Sequence, residues 1–246
     1  MIDCISVETM RQSDAYTIAN LVPGLELMYR AADGVFRSVD WHGKIAILAG
    51  SGNNGGDGYA LACILKEQGF DCCIYSLGSH LSNDSRHYAE IAKCMGVEIQ
   101  PFGADCSLFG YDYVVDCLLG TGFHGPVRAD YRQAIECINA SGAFIVSVDI
   151  NSSMNGDTGE GDIAVKSDLT VTIGYVKNGL IAKPAGKYIK KLVCVDIGIV
   201  LTQKEHFICS PEEWKQLCQR EAIDPAAASV NLGGQIYYQS PHWLML

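Results

Sequence analysis

The spacing of apolar residues along the chain changes near Lys44. Before it, "VETMRQSDAYTIANL" and "LELMYRAADGVFRSV" carry apolar side chains three and four positions apart, which predicts two helices. After it, the short apolar runs "KIAILAG", "CCIYSLG", "YDYVVDCLLG" and "AFIVSVDI" alternate with longer amphipathic segments. Such alternation is typical of parallel strands joined by crossover helices. We therefore expect a doubly wound α/β sheet preceded by helices.

The same pattern predicts the remaining elements and one boundary. Helices are expected from about Gly56, around "DSRHYAEIAKCMG" and near "YRQAIECINASG", and further strands at "VEIQ", "DLTVTIGY" and "KLVCVDIGI". From about Thr202 the alternation of apolar runs and amphipathic segments ends: "SPEEWKQLCQREAI" predicts a short helix, while "SVNLGGQIYYQSPHWLML" has no recognisable period. We assign residues 1–205 to one domain and residues 206–246 to a C-terminal extension without an assigned role.

Composition narrows the class of protein. With 246 residues and 48% apolar content, the chain can bury the core of one large domain. A net charge of −10 argues against a nucleic-acid partner. The 11 cysteines form no CxxC pair, and several lie in apolar runs, which favours a reducing, cytoplasmic location. No run of 18 apolar residues or secretory leader is seen, so no membrane association is expected.

The segment "ILAGSGNNGGDGYALA" has Gly50, Gly52 and Gly55 at the GxGxxG spacing of dinucleotide-binding turns. The acid that would hold a ribose at the end of the second strand is missing, because Asp71 precedes "CCIYSLG". A P-loop is excluded, since no Gly-Lys-Ser/Thr follows. Asp57 would repel an adjacent phosphate, and so it either binds another ligand or, like Asn53, merely caps the helix.

Three aspartates are predicted at the carboxyl edge of the sheet, where open α/β sheets bind ligands. Asp57 follows the first strand, Asp116 ends "YDYVVD", and Asp149 ends "AFIVSVD". Carboxylates brought together cost free energy unless a cation or a shared proton relieves their repulsion. The neighbouring donors are oxygen atoms, which suit a hard cation better than zinc. The sequence thus predicts a bound cation or a functional carboxylate.

Four ordered motifs, "GSGNNGGDGYALA", "VVDCLLGTGFHGPV", "SVDINSSMNGDTG" and "DLTVTIGYVKNGL...PAGK", resemble those of the NAD(P)H-hydrate epimerases, the YjeF N-terminal domain family. The resemblance extends over about residues 7–200. It implies a Rossmann-like three-layer α/β/α sandwich with a mostly parallel sheet and N-terminal helices. It also implies that residues 1–205 form an epimerase domain, which interconverts the R and S epimers of the hydrated cofactors NADHX and NADPHX.

The resemblance carries over to individual residues. A potassium ion would be held by Asn54, Asp116 and Ser152, and Asp149 would contact substrate. We interpret Asp149 as the catalytic residue that transfers a proton at C6, since a carboxylate within hydrogen-bond reach can help the hydroxyl leave and return. The other substrate-binding residues implied are Asn53, Asn54, Gly55, Gly56, Asp57, Gly120, Thr121, Gly122, Phe123, His124, Gly125 and Pro126.

Departures from the family pattern qualify this assignment. Asn151 and Ser153 replace a proline and a glycine, so we expect a freer turn at Asn151 and a glycine-like backbone angle at Ser153. His124 either assists proton transfer or is a surface-loop histidine. Lys177 either neutralises a substrate phosphate or is a solvated turn lysine. Cys117 lies in an apolar strand without a histidine partner, which favours core packing over nucleophilic catalysis.

Two other functions compete with the epimerase. A catalytically inactive binding module would be favoured by loss of Asp149 or of the Asn-Asn-Gly-Gly-Asp loop, but both are intact. An NAD-dependent oxidoreductase is disfavoured by the missing ribose acid. For the epimerase we expect a separate NAD(P)HX dehydratase as pathway partner and a homodimer. The aromatic segment from Ile236 to Leu246 either covers a dimer interface or is a remnant.

Overall fold

The computed structural model describes residues 1–78, 80–103, 105–221, 228–232 and 235–239. Its main sheet has seven parallel strands in the order β4-β3-β2-β5-β6-β7-β9. The strands are β2 (Lys44–Ala49), β3 (Asp71–Ser76), β4 (Glu98–Pro101), β5 (Tyr113–Cys117), β6 (Phe144–Val148), β7 (Leu169–Ile173) and β9 (Leu192–Val195). Their almost continuous apolar runs reflect burial on both faces, and confirm the predicted parallel sheet.

Helices cover both faces of this sheet. The described helices of the whole chain are α1 (Val7–Asn20), α2 (Gly24–Arg37), α3 (Asn53–Glu67), α4 (Asn83–Cys94), α5 (Ala129–Ala140), α6 (Asn178–Ile181) and α7 (Pro211–Glu221), with a 3₁₀ turn at Lys183–Lys187. Of these, α7 packs instead against His206–Cys209, outside the main sheet. One core joins the sheet to side chains of α2, α3 and α4. A second core joins the other face to α5. The three-layer α/β/α sandwich expected from the sequence is therefore confirmed, and no described helix is long and apolar enough to cross a bilayer.

A second sheet, which the sequence analysis does not predict, lies beside the first. Its strand order is β11-β12-β10-β1-β8, from β1 (Ile2–Ile5), β8 (Val176–Lys177), β10 (His206–Cys209), β11 (Ala228–Leu232) and β12 (Gln235–Gln239). β1 pairs antiparallel with β10 and parallel with β8. The opening residues are thus a strand, where the sequence indicated only helices.

The C-terminal extension contains α7, as predicted, and strands β10, β11 and β12. The lack of a period in "SVNLGGQIYYQSPHWLML" was misleading, because five-residue strands are too short to show one clearly. β10 joins the extension to β1 at the other end of the chain. The boundary at residue 205 stays a prediction, and residues 240–246 of the aromatic segment lie outside the described residues.

Candidate active site

A cavity of about 600 Å³ opens at the carboxyl ends of β2, β5 and β6. The order of the strands reverses between β2 and β5 at this place, which is where open α/β sheets bind ligands. Among the residues predicted from sequence, the cavity is lined by Asn53, Asn54, Asp57, Gly120, Thr121, Gly122, Phe123, His124 and Asp149. The aspartates that end different strands are therefore brought to one edge, as expected.

The remaining predicted residues lie around the cavity rather than on its wall. Gly55 and Gly56 are buried in α3, and a Cβ atom on Gly56 would lie 2.5 Å from Cε of Met28. Gly125 and Pro126 are exposed in the loop that follows Phe123. Asp116 and Ser152 are fully buried beneath the edge of the sheet.

The glycines of the turn between β2 and α3 allow close contacts within the protein. A Cβ atom on Gly50 would lie 2.0 Å from the carbonyl oxygen of Leu118, and one on Gly55 would lie 1.9 Å from that of Gly50. Both contacts are impossible for a side chain, so these glycines allow backbone segments of the chain to approach each other. Gly52 is the N-cap of α3, with no side-chain capping bond. The capping interpretation of Asn53 and Asp57 is therefore wrong.

Asp149 and Lys177 form a nearly buried ion pair. The ammonium nitrogen lies 2.5 Å from Oδ1 of Asp149, and the two side chains are 15% and 1% exposed, respectively. The same ammonium donates to Oγ1 of Thr172 at 3.1 Å and to the carbonyl of Ile173 at 2.7 Å. All three of its donors are thus engaged. Both sequence interpretations of Lys177 are corrected: it is not a solvated turn lysine, and its donors are not free for a phosphate.

The backbone at Asp149 has a φ of +69°, in the left-handed region. Its amide nitrogen still donates to the carbonyl of Val171, at 2.8 Å, so the chain turns immediately after leaving the sheet. Non-glycine residues rarely adopt this conformation, and such strain occurs at functional sites where the surrounding structure enforces it. The turn, together with Lys177, fixes where the carboxylate of Asp149 enters the cavity.

Asp116 is surrounded by hydrogen-bond donors. Its carboxylate accepts from Oγ of Ser147 at 2.9 Å, from the backbone nitrogen of Ser152 at 2.9 Å and from Oγ of Ser152 at 2.5 Å. Burial raises the pKa of Asp116 from its ordinary value, and the bonds from Ser152, Ser147 and the Leu118 nitrogen oppose that rise. The donors therefore favour the charged form of this fully buried carboxylate.

Asn54 is buried, and neither its Oδ1 nor its Nδ2 has a hydrogen-bond partner in the described part of the chain. Buried amides are normally satisfied, so this one requires a further partner. The unsatisfied oxygen of Asn54, the carboxylate of Asp116 and the hydroxyl of Ser152 provide a donor set of hard oxygen atoms. These residues fit a hard cation.

The segment after Asp149 is held more firmly than the sequence indicated. The buried amide of Asn151 donates to the carbonyls of Val165 at 2.9 Å and Tyr188 at 3.2 Å, and accepts from Oγ1 of Thr170 at 2.6 Å. The expectation of a freer turn is therefore wrong, because side-chain bonds replace the rigidity of proline. Ser153 has a φ of +73°, which confirms the expected glycine-like angle.

Cys117 is fully buried, and burial followed by the charges of Asp116 and Asp57 raises the pKa of its thiol well above the ordinary value. This confirms core packing, because a thiol kept protonated is a poor nucleophile. His124 is exposed at the mouth of the cavity, and the choice between its two interpretations stays a prediction.

The first two helices form a wall that the sequence analysis missed. Met10 and Asp14 of α1 and Leu27 and Met28 of α2 line the cavity. Burial and the charge of Asp149 raise the pKa of Asp14. The helical period correctly predicts α1, but it gives no signal that one of its polar residues faces a cavity that is lined mostly by later segments of the chain.

Fold and cavity together define a doubly wound α/β domain with a cavity at the carboxyl ends of its strands. The family model "YjeF-related protein N-terminus" matches residues 24–179. The chain belongs to this family. Asp14 lies outside the matched segment, while Lys177 lies near its end.

Curated relatives agree with this family. An "NAD(P)H-hydrate epimerase" of Limosilactobacillus fermentum is 36% identical over 199 residues, covering 78% of this chain and 95% of that protein. One of Rhodopirellula baltica is 33% identical over 213 residues, covering 82% and 87%. A "Bifunctional NAD(P)H-hydrate repair enzyme Nnr" of Archaeoglobus fulgidus is 38% identical over 198 residues, which are 78% of this chain but 38% of that protein.

A solved structure supports the fold. The crystal structure of yeast ynu0 superimposes with a TM-score of 0.66 and 17% sequence identity, over 96% of this chain and 100% of that chain. At this identity the similarity concerns the fold alone.

Proposed function

We propose that this protein is an NAD(P)H-hydrate epimerase that interconverts the R and S epimers of NADHX and NADPHX. The observation that carries the proposal is the carboxylate of Asp149, held by the buried Lys177 at the wall of the cavity. Relatives that are named for this activity cover most of the chain. A cavity of about 600 Å³ is large enough for a dinucleotide fragment.

In this proposal Asp149 handles a proton at C6 of the hydrated nicotinamide ring. Epimerisation requires the C6 hydroxyl to leave and a hydroxyl to return on the opposite face. The bond from Lys177 fixes the rotamer of Asp149, so that the oxygen that faces the substrate is positioned before binding. The loop from Gly120 to Phe123 lines the same cavity and would enclose the ring.

We further propose that K⁺ binds to Asn54, Asp116 and Ser152. The support is the unsatisfied buried amide of Asn54, together with the hard oxygen atoms of Asp116 and Ser152, which are hydrogen-bonded to each other. When bound, the ion would supply a positive charge next to a substrate that carries phosphates. The chain's own residues would hold the ion through the same carboxylate that organises the backbone at Leu118 and Ser152.

The remaining parts of the proposal concern partners. Bifunctional repair enzymes among the relatives are much longer than the segment that this chain matches. We propose that a separate dehydratase consumes the epimer that this protein supplies, and that the protein forms a homodimer.

An oxidoreductase remains less suited to the site. Asp71 is the first residue of β3, at the edge of the sheet opposite to the cavity, so it cannot hold a ribose there. The test is to supply purified R-NADHX and to follow the S epimer chromatographically, with K⁺ present or replaced by Li⁺. An epimerase accelerates the appearance of S-NADHX without changing the oxidation state of the ring. A rate equal to the spontaneous rate in both salts would reject the function.

A further inference from the structure

The cavity is lined by more carboxylates than the one buried ammonium at its wall, that of Lys177, can neutralise. Asp14 of α1 and Asp57 of α3 line it together with Asp149. Lys177 is already bonded to Asp149, Thr172 and Ile173, so none of its donors is left for the other two aspartates. Three ionised carboxylates beside one ammonium would repel one another strongly.

No other basic side chain relieves this excess within the described residues. Arg11 lines the cavity, but its guanidinium makes two bonds, of 2.9 and 2.7 Å, to Glu8 outside the site. His124 is exposed on its loop. The remaining titratable groups are Asp84 on α4 and Tyr131 on α5, which also line the cavity, and the buried thiol of Cys117 on β5, which is close enough to feel the charge of Asp57. None of these carries a positive charge.

Asp57 is the carboxyl group that best accommodates a proton. It is half-buried, and no described residue donates a hydrogen bond to it. Burial, then the charge of Asp149 and then that of Asp14 raise its pKa well above the ordinary value. Burial and the charge of Asp149 also raise the pKa of Asp14, and the charge of Lys177 opposes the rise at both aspartates. Asp149, in contrast, already has a cationic partner, the ammonium of Lys177.

We propose that Asp57, on α3, is the general acid of the reaction and that Asp149, which follows β6, is its general base, since both line the cavity. This inference rests on the proposed function. Asp57 gives its proton to the C6 hydroxyl, the C6–O bond breaks, and water leaves as the lone pair of N1 forms a C6=N1 double bond. A water then adds to the other face of C6, the N1 lone pair is restored, and Asp149 takes the proton.

The atoms balance, because one water leaves and one adds. One proton has moved from Asp57 to Asp149, and exchange with solvent restores both groups. The protonation state after one turnover is the one that the reverse reaction requires, as expected for an epimerase that works in both directions. Asp14 is a positioning residue here, because its charge helps to keep the proton on Asp57.

The test compares kcat and KM from pH 5 to 10 for the wild type, Asp57→Asn and Asp14→Asn, with saturating K⁺ throughout. Asp57→Asn should lower kcat by about 10²- to 10⁴-fold with little change in KM, and should abolish the decline in rate at alkaline pH. Asp14→Asn should lower kcat less than about tenfold and move that decline to lower pH. Asp71→Asn, an exposed carboxylate at the opposite edge, should behave as wild type.

Carbon-13 NMR of labelled aspartate provides a readout that needs no activity. One carboxyl should titrate well above the ordinary range, and its signal should be lost in Asp57→Asn. If Asp57→Asn raises KM but leaves kcat unchanged, Asp57 only binds substrate and the inference fails. If Asp14→Asn loses kcat while Asp57→Asn keeps it, the acid is misassigned. A wild type that does not epimerise NADHX would instead reject the proposed function.

Discussion

The ammonium of Lys177 lies 2.5 Å from the carboxylate of Asp149, with the lysine side chain 1% exposed. In a pair buried this deeply, substitution of one partner leaves the charge of the other uncompensated. The pair also links the two sheets. Lys177 belongs to β8 of the second sheet, whereas Asp149 follows β6 of the first. The geometry of the candidate catalytic residue therefore depends on both sheets.

Substitutions at Asp149 and Lys177 should affect the stability and the activity of the protein differently. Asp149→Asn should abolish epimerisation while the fold is kept, and it should lower the free energy of unfolding because Lys177 loses its counter-charge. The cost of leaving such a charge unpaired is about 3–5 kcal/mol. The double variant Asp149→Asn with Lys177→Met should recover part of that stability, measured by urea denaturation, and remain inactive. Near-normal turnover in Asp149→Asn would show that its catalytic role is misassigned.

Glycine substitutions test the backbone contacts of the turn between β2 and α3. Gly55→Ala should destabilise the protein and impair substrate binding, because its Cβ would collide with the carbonyl oxygen of Gly50. Gly52→Ala is the matched control, since a Cβ there meets nothing within 4 Å. Thermal melting and KM for both variants provide the measurement. Equal effects of the two substitutions would contradict the close approach.

The cation site predicts a stability difference between salts. The wild type should melt at a higher temperature in KCl than in LiCl at equal ionic strength, since a ligand that binds only the folded state stabilises it. Ser152→Ala should lose this difference and about 1–3 kcal/mol of stability, because its hydroxyl no longer donates to Asp116 and the Leu119 carbonyl or accepts from the Leu119 nitrogen.

Ser147→Ala is the control for that experiment. It removes one hydrogen bond to Asp116 but no proposed ligand, so it should be less stable and still respond to K⁺. A wild type that melts at the same temperature in both salts would contradict the potassium site.

The raised pKa of Asp57 predicts a pH dependence of stability. Because the folded state holds this proton more tightly than the unfolded state, stability should fall as pH rises from the ordinary carboxyl range, near 4, through the raised pKa. Asp57→Asn removes that contribution, so it should raise the melting temperature more at pH 8 than at pH 4. Asp71→Asn should leave the profile unchanged. A parallel shift of the Asp57→Asn curve at all pH values would argue against a protonated Asp57.

The residues at the carboxyl edge of the main sheet can be predicted from the sequence, because each of them directly follows a recognisable buried strand. Buried parallel strands require runs such as those of β5 and β6, and a charged residue directly after such a run has to lie at the carboxyl edge. Asp116 and Asp149 were found by this reasoning. Similarly, a serine at a glycine position indicated the positive φ of Ser153, which the structure confirms.

Contacts that depend on distant pairing could not be predicted in this way. β1 and β10 are about 200 residues apart, and β8 has only two residues, so neither the second sheet nor the burial of Lys177 has a local periodic signal. Asp14 appears in sequence as one polar residue on an amphipathic helix. Its place in the cavity depends on how α1 packs against distant parts of the chain. One such contact is the hydrogen bond that the Val200 nitrogen donates to the hydroxyl of Thr17 on α1.

The most direct measurement of the central claim is the initial rate at which freshly separated R-NADHX becomes S-NADHX, with wild-type protein, Asp149→Asn or no protein. The proposed function predicts rapid conversion to the equilibrium mixture by the wild type, and a rate near the spontaneous one with Asp149→Asn. A wild-type rate that equals the rate without protein would contradict it.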